Sequence, residues 1–312
     1  AHHFAVIEAG ISAPGEMKPL ADMIAPDVSL VTLIAPAHTQ ELGGIEGVAR
    51  EKAVLPAATR AGGVAVFSRE TAEFGPFGEL GVRKMIVERA DVIRPAETTK
   101  DRVYFAVTQR GDATAVSLAY GNPPPLVFTF RRVSDGMAQN AALAIGAALW
   151  LGVSAEQIQT RLKQWKPAKL RGEIRHEDGR LLYLDCYNAN PASMADALDI
   201  FRAIAPPEHP RFYIVGGMEE LGAQAAAYHR ALGRSIILRK NDRLVAIGDL
   251  AHEILAGLLE QGDVAQQIDI VSSPESVAGS LAEWRGAVFI KGSRRYQLER
   301  ALAPFATAAA TH

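Results

Sequence analysis

The feature that most constrains this chain is the alternation of apolar, strand-like runs with helix-like stretches along most of its length. Such alternation predicts α/β architecture, with helices laid on the faces of largely parallel sheets. "FAVIEA" (4–9) reads as a strand and is followed by an amphipathic stretch over 16–24 and the strand "VSLVTLI" (28–34). A helix from about 44 to 61 leads to the strand "GGVAVFS" (62–68). The pattern changes between 82 and 133. There "RKMIVER", "RVYFAVTQR", "TAVSLAY" and "PLVFTFRRV" are short strands separated by turns such as "GNPPP", which predicts an antiparallel addition. Helices are expected over 136–152 and 154–165. The Pro- and Lys-containing "KPAKLRGE" (166–173) then reads as a connector between domains. Beyond it "RLLYLDC", "RFYIVGG", "RLVAIGD", "QIDIVSS" and "AVFIKGS" each precede a helical stretch, and each ends in small or polar residues, as doubly wound nucleotide-binding folds do. The tail "ATAAATH" is expected to fray.

Composition removes several classes of function. A formal net charge of −2 over 312 residues leaves no electrostatic footprint for nucleic acid or an anionic membrane. The longest apolar run, "AALAIGAALWLGV" (141–153), is shorter than the about 20 residues a bilayer requires, so it reads as a buried helix. A single cysteine, Cys186, excludes an internal disulfide and suits a reducing, cytoplasmic setting. No signal peptide is visible, and the chain opens on a strand-like run without a methionine, as a fragment would.

The stretch "LDCYNANPASMADAL" (184–198) carries the most chemistry. Asn190 can cap a helix whose first turn accepts Pro191, with Met194, Leu198 and Phe201 at helical spacing. Asp185, Tyr187, Asn188 and Asn190 therefore fall between a strand's carboxyl end and a helix N-terminus. Ligands of open α/β sheets bind at such places, and the helix end favours anions. An Asx-rich turn that satisfies only its own backbone fits the same residues.

"DCYNANPASM" resembles the D-S-Y-N-A-N-P-x-S-M signature of the Mur ligases, in their MurF branch. Five further blocks resemble that family in the same order: "VIEAGISAPGEM" (6–17), "APAHTQELGGIEGVAREK" (35–52), "KLRGEI" (169–174), "GGMEELG" (216–222) and "IKGSR" (290–294). The resemblance implies a partial central ATP-binding domain with a mixed sheet over 1–165, a hinge over 166–173 and a Rossmann-like C-terminal domain over 174–312. It implies a monomeric, ATP- and Mg2+-dependent ligase that adds D-Ala-D-Ala to UDP-MurNAc-tripeptide through an acyl phosphate in peptidoglycan precursor synthesis.

The family's roles carry over residue by residue. Glu8 and His38 match magnesium ligands, and Lys52 matches a lysine carried as a carbamate beside the ion. Arg171 matches a hinge arginine directed at the γ-phosphate, and Asn140 an asparagine facing adenine. Asp185 would accept from the ribose, with Tyr187, Asn188 and Asn190 completing that wall across an interdomain cleft. Lys291, Ser293 and Arg294 match the substrate-facing K-G-S-R. Read without the resemblance, each has a plainer role: a strand-end acid, a loop histidine, a solvated helix lysine, a linker arginine, a solvated helical asparagine and a basic turn.

The sequence also departs from the family. No G-x-x-G-K-[ST] phosphate loop occurs, and "GPFGELG" (75–81) lacks the lysine and hydroxyl pair. Gly136-Met137 stand where many relatives have His-Asn, and Ala53-Val54 where they have Gly-Glu. Leu170 replaces a glycine, Gly217 an aspartate and Cys186 a serine. The expectation is that the phosphate loop and a UDP-sugar domain lie upstream, and that these 312 residues alone bind ATP weakly and form no amide. Two rivals stand beside this reading: a related ligase for another amine, and a non-catalytic Mur-like binding module. A dehydrogenase is disfavoured, because no G-x-G-x-x-G follows an opening strand.

Overall fold

The computed structural model describes residues 3–91, 99–121, 124–262 and 265–302. The chain divides into two compact units, Ala1–Lys166 and Pro167–His312. The expected fraying of "ATAAATH" and the centre of "GNPPP" lie outside the described residues.

The first unit is built on a six-stranded sheet in the order β1-β2-β3-β4-β5-β6. Its strands are β1 (Val28–Val31), β2 (Val64–Ser68), β3 (Lys84–Arg89), β4 (Arg102–Arg110), β5 (Ala113–Ala119) and β6 (Leu126–Arg131). β1 to β4 pair in parallel, and β4, β5 and β6 pair antiparallel. The antiparallel addition expected from residue 82 onward thus begins one strand later, because β3 joins β2 in the parallel part. The helices are α1 (Met17–Ile24), α2 (Thr39–Leu42), α3 (Ile45–Ala57), α4 (Arg69–Ala72), α5 (Gly75–Gly78), α6 (Asp135–Trp150) and α7 (Ala155–Gln164).

Strand periodicity explains the two-sided core. In β2, Val64 and Val66 face the layer formed by α6 and α7, while Ala65 and Phe67 face Met17 of α1 and Val48 and Ala49 of α3. All five residues of β2 are buried, as expected of a strand covered on both faces. Ser134 and Ser154 cap α6 and α7, the latter in a capping box with Gln157.

One reading requires correction. "FAVIEA" forms no strand: residues 4–9 are irregular, and Val6 is 100% exposed. A strand exists only through its ladder, and this segment has no pairing partner among the described residues. Glu8 therefore sits on an exposed, irregular segment rather than at a strand end.

The second unit carries β7 (Glu173–Glu177), β8 (Arg180–Asp185), β9 (Arg211–Gly216), β10 (Arg243–Ile247), β11 (Ile268–Val271) and β12 (Ala287–Lys291), in the order β11-β10-β9-β12-β8-β7. All pairs are parallel except β7–β8. β7 was not anticipated. Its polar "EIRHE" hides the period-2 pattern because it is an edge strand, and it begins on Glu173, the last residue assigned to the connector. The helices are α8 (Pro191–Ile204), α9 (Ala225–Ser235), α10 (Ala251–Leu259) and α11 (Ala278–Glu283). α8 to α10 cover one face, with Phe289, Tyr213 and Tyr183 beneath them. α11 and short 3-10 turns cover the other, over Val288, Ile214 and Leu182. The helix expected after β12 is instead two 3-10 turns, Arg294–Tyr296 and Leu298–Leu302. The observed class is α/β with two mixed sheets, the second doubly wound.

α9 and α10 meet through glycine. A Cβ on Gly257 would lie 2.0 Å from the Arg230 carbonyl oxygen, and one on Gly233 would lie 2.1 Å from that of Ile254. Alanine is favoured over glycine in a helix by about 1 kcal/mol. A backbone clash in a packed interface costs about 1–3 kcal/mol or more, so the clash should decide the sign. Gly257→Ala is expected to lower the urea midpoint of the second unit's unfolding. An unchanged or raised midpoint would show that the helices can separate at no cost.

Candidate functional site

β8, β9 and β12 end side by side, with Lys291 in register with both Asp185 and Val215. The chain crosses from β8 to β9 and leaves the slot between them for β12, its last strand. Loops at the carboxyl edge of such a sheet are where open α/β folds hold ligands. Close approach at this edge depends on glycine: a Cβ on Gly292 would lie 2.6 Å from the Gly216 Cα.

Lys291 organises the loop that follows β8. Its side chain is 1% exposed, and its Nζ donates to Asp185 Oδ2 at 2.6 Å, to the Asn188 carbonyl at 3.2 Å and to the Asp185 carbonyl at 3.4 Å. All three ammonium donors are thus directed to acceptors within the second unit. The Lys291 side chain turns inward, onto the end of β8 and the loop that follows it. Ser293 is also buried; its N–H donates to the Gly217 carbonyl at 3.0 Å. Arg294 is exposed and pairs with Glu299, whose other oxygen lies 3.6 Å from the Cys186 thiol. Burial, first, and the Glu299 carboxylate push that thiol up to about 12, so Cys186 is held as an inert thiol.

The four residues singled out in "DCYNAN" separate by role. Asn190 caps α8: its Oδ1 accepts from the Ser193 N–H at 2.8 Å, its own N–H donates to the Ser193 hydroxyl at 3.0 Å, and Pro191 occupies the first turn. Asn188 Oδ1 accepts from the Ala189 N–H at 2.8 Å, and one Asp185 oxygen is held by Lys291. Three of the four thus shape the loop. Tyr187, 47% exposed, projects outward, and the Arg171 guanidinium carbon lies 4.1 Å from its ring centroid.

Arg171 is fixed to this unit. The preceding Leu170 is buried in the core, its N–H donates to Glu173 Oε2 at 2.8 Å, and its carbonyl accepts from the Tyr187 N–H. Leu170 and Gly172 both have left-handed backbones, with φ of 62° and 65°. Two such residues flanking Arg171 turn the chain tightly at this point.

Residues that the sequence reading passed over gather at the same edge. The Tyr296 ring lies against Gly217 and Gly248, its hydroxyl donates to Glu219, and Arg295 bridges Glu219 at 2.9 Å and Asp249 at 3.3 Å. The available signal was glycine at the ends of three strands, which leaves room for a ring. His229 anchors the Glu219 loop: its Nε2 accepts from the Met218 N–H at 2.9 Å, so Nδ1 carries the hydrogen to the Ala225 carbonyl. Burial pushes His229 below its ordinary value.

In the first unit, Lys52 lies on α3 and donates to the Leu33 carbonyl at 3.2 Å. Its side chain is half-buried, and burial lowers its pKa from 10.5. The adjacent Glu51 accepts from the Met17 N–H at 2.9 Å, at the N-terminus of α1, so "REK" is more than a solvated face. His38 precedes α2 with a left-handed backbone, φ 56°. The Ser12 and Ala13 N–H groups donate to Glu16 Oε2 and hold the Glu16 carboxyl below its ordinary value. Asn140, exposed on α6, lines an apolar groove of about 1260 Å³ with Phe4, Phe130, Met137, Ile145 and Trp165. No group of three or more His, Cys, Asp or Glu side chains able to hold a metal occurs among the described residues. Glu8 and His38 are suitable donors but too few to form a metal cage. Magnesium in such sites draws most of its ligands from phosphate oxygens and water.

Two α/β units, one extended by antiparallel strands and the other doubly wound with a polar loop at its carboxyl edge, define the class of open α/β folds whose ligands sit at that edge. The description "Mur ligase middle domain" matches residues 1–147, and "Mur ligase, glutamate ligase domain" matches residues 170–294. The chain belongs to the Mur ligase family. The UDP-N-acetylmuramoyl-tripeptide--D-alanyl-D-alanine ligase of Bacillus subtilis (strain 168) is 26% identical over 257 residues, which are 82% of this chain and 53% of that protein. A crystal structure of MurF from Acinetobacter baumannii shares the fold, with TM-score 0.79 and 24% identity over 97% of this chain and 64% of that one. MurF from Thermotoga maritima in complex with ADP gives 0.74 and 20% over 95% and 65%. This chain spans about half the length of the curated relative.

Two outcomes follow from these contacts. Lys291→Ala would leave the Asp185 carboxylate and two carbonyls without their cation, and breaking such a buried pair costs about 3–5 kcal/mol. The second unit should therefore unfold at markedly lower urea, while the first keeps its midpoint. For Lys52 the native state binds fewer protons than the unfolded chain at pH values between its lowered pKa and 10.5. The first unit's stability should rise with pH across that window. Below both values this contribution is absent. Comparing wild type with Lys52→Met in pH-resolved melts tests this, and equal slopes would refute it.

Proposed function

We propose that this chain forms the ATP-handling and C-terminal parts of an amide ligase that joins D-Ala-D-Ala to UDP-MurNAc-tripeptide. The carrying observation is the loop over 185–190, braced by Lys291 at the carboxyl edge of a doubly wound sheet, in a chain of this family. The MurF names of its relatives support the choice of substrates.

In the proposed reaction a substrate carboxylate oxygen attacks the γ-phosphorus of ATP, ADP leaves, and an acyl phosphate forms. The neutral amine of the dipeptide then attacks the acyl carbon. The C–N bond forms, the C–O bond to phosphate breaks, and the amine gives up a proton as inorganic phosphate departs. Arg171 would meet the oxyanion charge that develops at phosphorus. Asp185, with Asn188 and Asn190 shaping its loop, would receive the ribose, and Asn140 the adenine. Arg294 and Ser293 would face the acceptor, with Lys291 holding their strand in place. Glu8 and His38 are the residues that would hold magnesium, which would neutralise crowded phosphate oxygens. The expected domain extents, 1–165 and 174–312 about a connector at 166–173, belong to the same proposal. So does the expectation that these 312 residues alone make no amide, since they contain no phosphate-loop sequence.

Lys52 is proposed to act as a carbamate. Only a neutral amine adds carbon dioxide, and its half-buried Nζ has a lowered pKa, which favours the neutral form. The product is an anionic oxygen donor where a protonated lysine would repel a cation.

The assay is ATP-dependent joining of D-Ala-D-Ala to UDP-MurNAc-tripeptide, by the polypeptide as its gene encodes it. Ligation should rise with bicarbonate, fall to background in Lys52→Ala, and return in part with added acetate or formate. Wild-type rates in Lys52→Ala would remove the carbamate. Nucleotide binding without any joining would favour the non-catalytic binding module.

A further inference from the structure

The end of β8 and the loop after it hold four conspicuous side chains: Asn188 and Asn190 bond to their own chain neighbours, and Asp185 is held by Lys291. Tyr187 is different: it is nearly half exposed, and its clearest partner is the Arg171 guanidinium, 4.1 Å from the ring centroid. Backbone bonding ties the same two segments together, since the Tyr187 N–H donates to the Leu170 carbonyl at 3.2 Å. Leu170 is rooted in the core, and Glu173 holds its N–H. The base of Arg171 is thus rigid, while its long side chain stands in solvent.

We propose that Tyr187 is a positioning residue for Arg171, a ring that holds the guanidinium ready for a phosphoryl oxyanion. A free arginine side chain samples many rotamers, and each must be abandoned when an anion is bound. An aromatic ring covers one side of the guanidinium, attracts its charge, and leaves the N–H donors to point elsewhere. The ordering then exists before the anion arrives, which is what a group acting on developing charge requires. Leucine could fill the same space but lacks the ring's electrostatic attraction, and phenylalanine keeps it. The inference rests on the proposed reaction for its phosphoryl ligand, while the contact itself belongs to the second unit alone.

The first test uses 15N-labelled protein and the Nε–H signal of Arg171, identified by its loss in Arg171→Lys. Tyr187→Leu should abolish the ring-current shift of this signal and increase its fast motion, and Tyr187→Phe should restore both. An Arg171 signal equally ordered with leucine at 187 would overturn the positioning role.

The second test is phosphate release from ATP in the ligation assay. Exposed contacts of this kind correspond to about a two- to fivefold effect, so Tyr187→Leu should lower kcat by that factor with little change in KM for ATP. Tyr187→Phe should recover most of the loss. Arg171→Lys should cost less on the leucine background than in wild type, because the two residues act as one unit. Strict additivity, or no rescue by phenylalanine, would overturn the proposal. A wild type that releases no phosphate while its Arg171 signal shows the ring contact would refute the reaction and the phosphoryl role, and leave the positioning confirmed.

Discussion

The second unit depends on where Lys291 directs its charge. An ammonium that is 1% exposed can be tolerated only if its donors are met, and here one carboxylate and two carbonyls meet them. Those acceptors belong to the loop after β8, while the lysine closes β12, 106 residues later in the chain. The pair therefore joins two neighbouring strand ends and holds the intervening loop in one shape. The Asn190 cap and the Asn188 turn then complete the loop at low cost, because each uses a partner within three residues.

Glycine sets how closely these parts approach. Gly216 and Gly292 let the ends of β9 and β12 meet, and the space over Gly217 and Gly248 admits the Tyr296 ring with Glu219 on its hydroxyl. His229 fixes the Glu219 loop from the other side as a neutral acceptor. The carboxyl edge of the sheet is consequently preorganised from three directions: by a buried ion pair, by glycine contacts and by a histidine. Among its outward-facing parts is Arg171, set on the Tyr187 ring.

The first unit handles its polar groups differently. Lys52 is only half-buried, and its amine is met by one carbonyl, so its environment disfavours the charged form. Lys291 has different surroundings: it is buried, and its acceptors include a carboxylate.

Much of the fold was legible in the amino-acid sequence. Local periodicity determines which runs become strands and helices, so β2, β8, β9, β10 and β12 and the long helices fall close to where the pattern puts them. The Asn190–Pro191 helix start was equally readable, because capping involves neighbours three residues apart. Tertiary structure decided what local pattern cannot contain. Residues 4–9 have a strand's sequence but no ladder, and β7 has a ladder without a strand-like sequence, because pairing is a property of two segments. In the sequence Lys291 reads as part of a substrate-facing K-G-S-R or as a basic turn, and Arg171 as a phosphate-directed arginine or a linker residue, with no partner named for either. Their directions were set by Asp185 and by Tyr187, partners distant in sequence that only the closed sheet brings within reach.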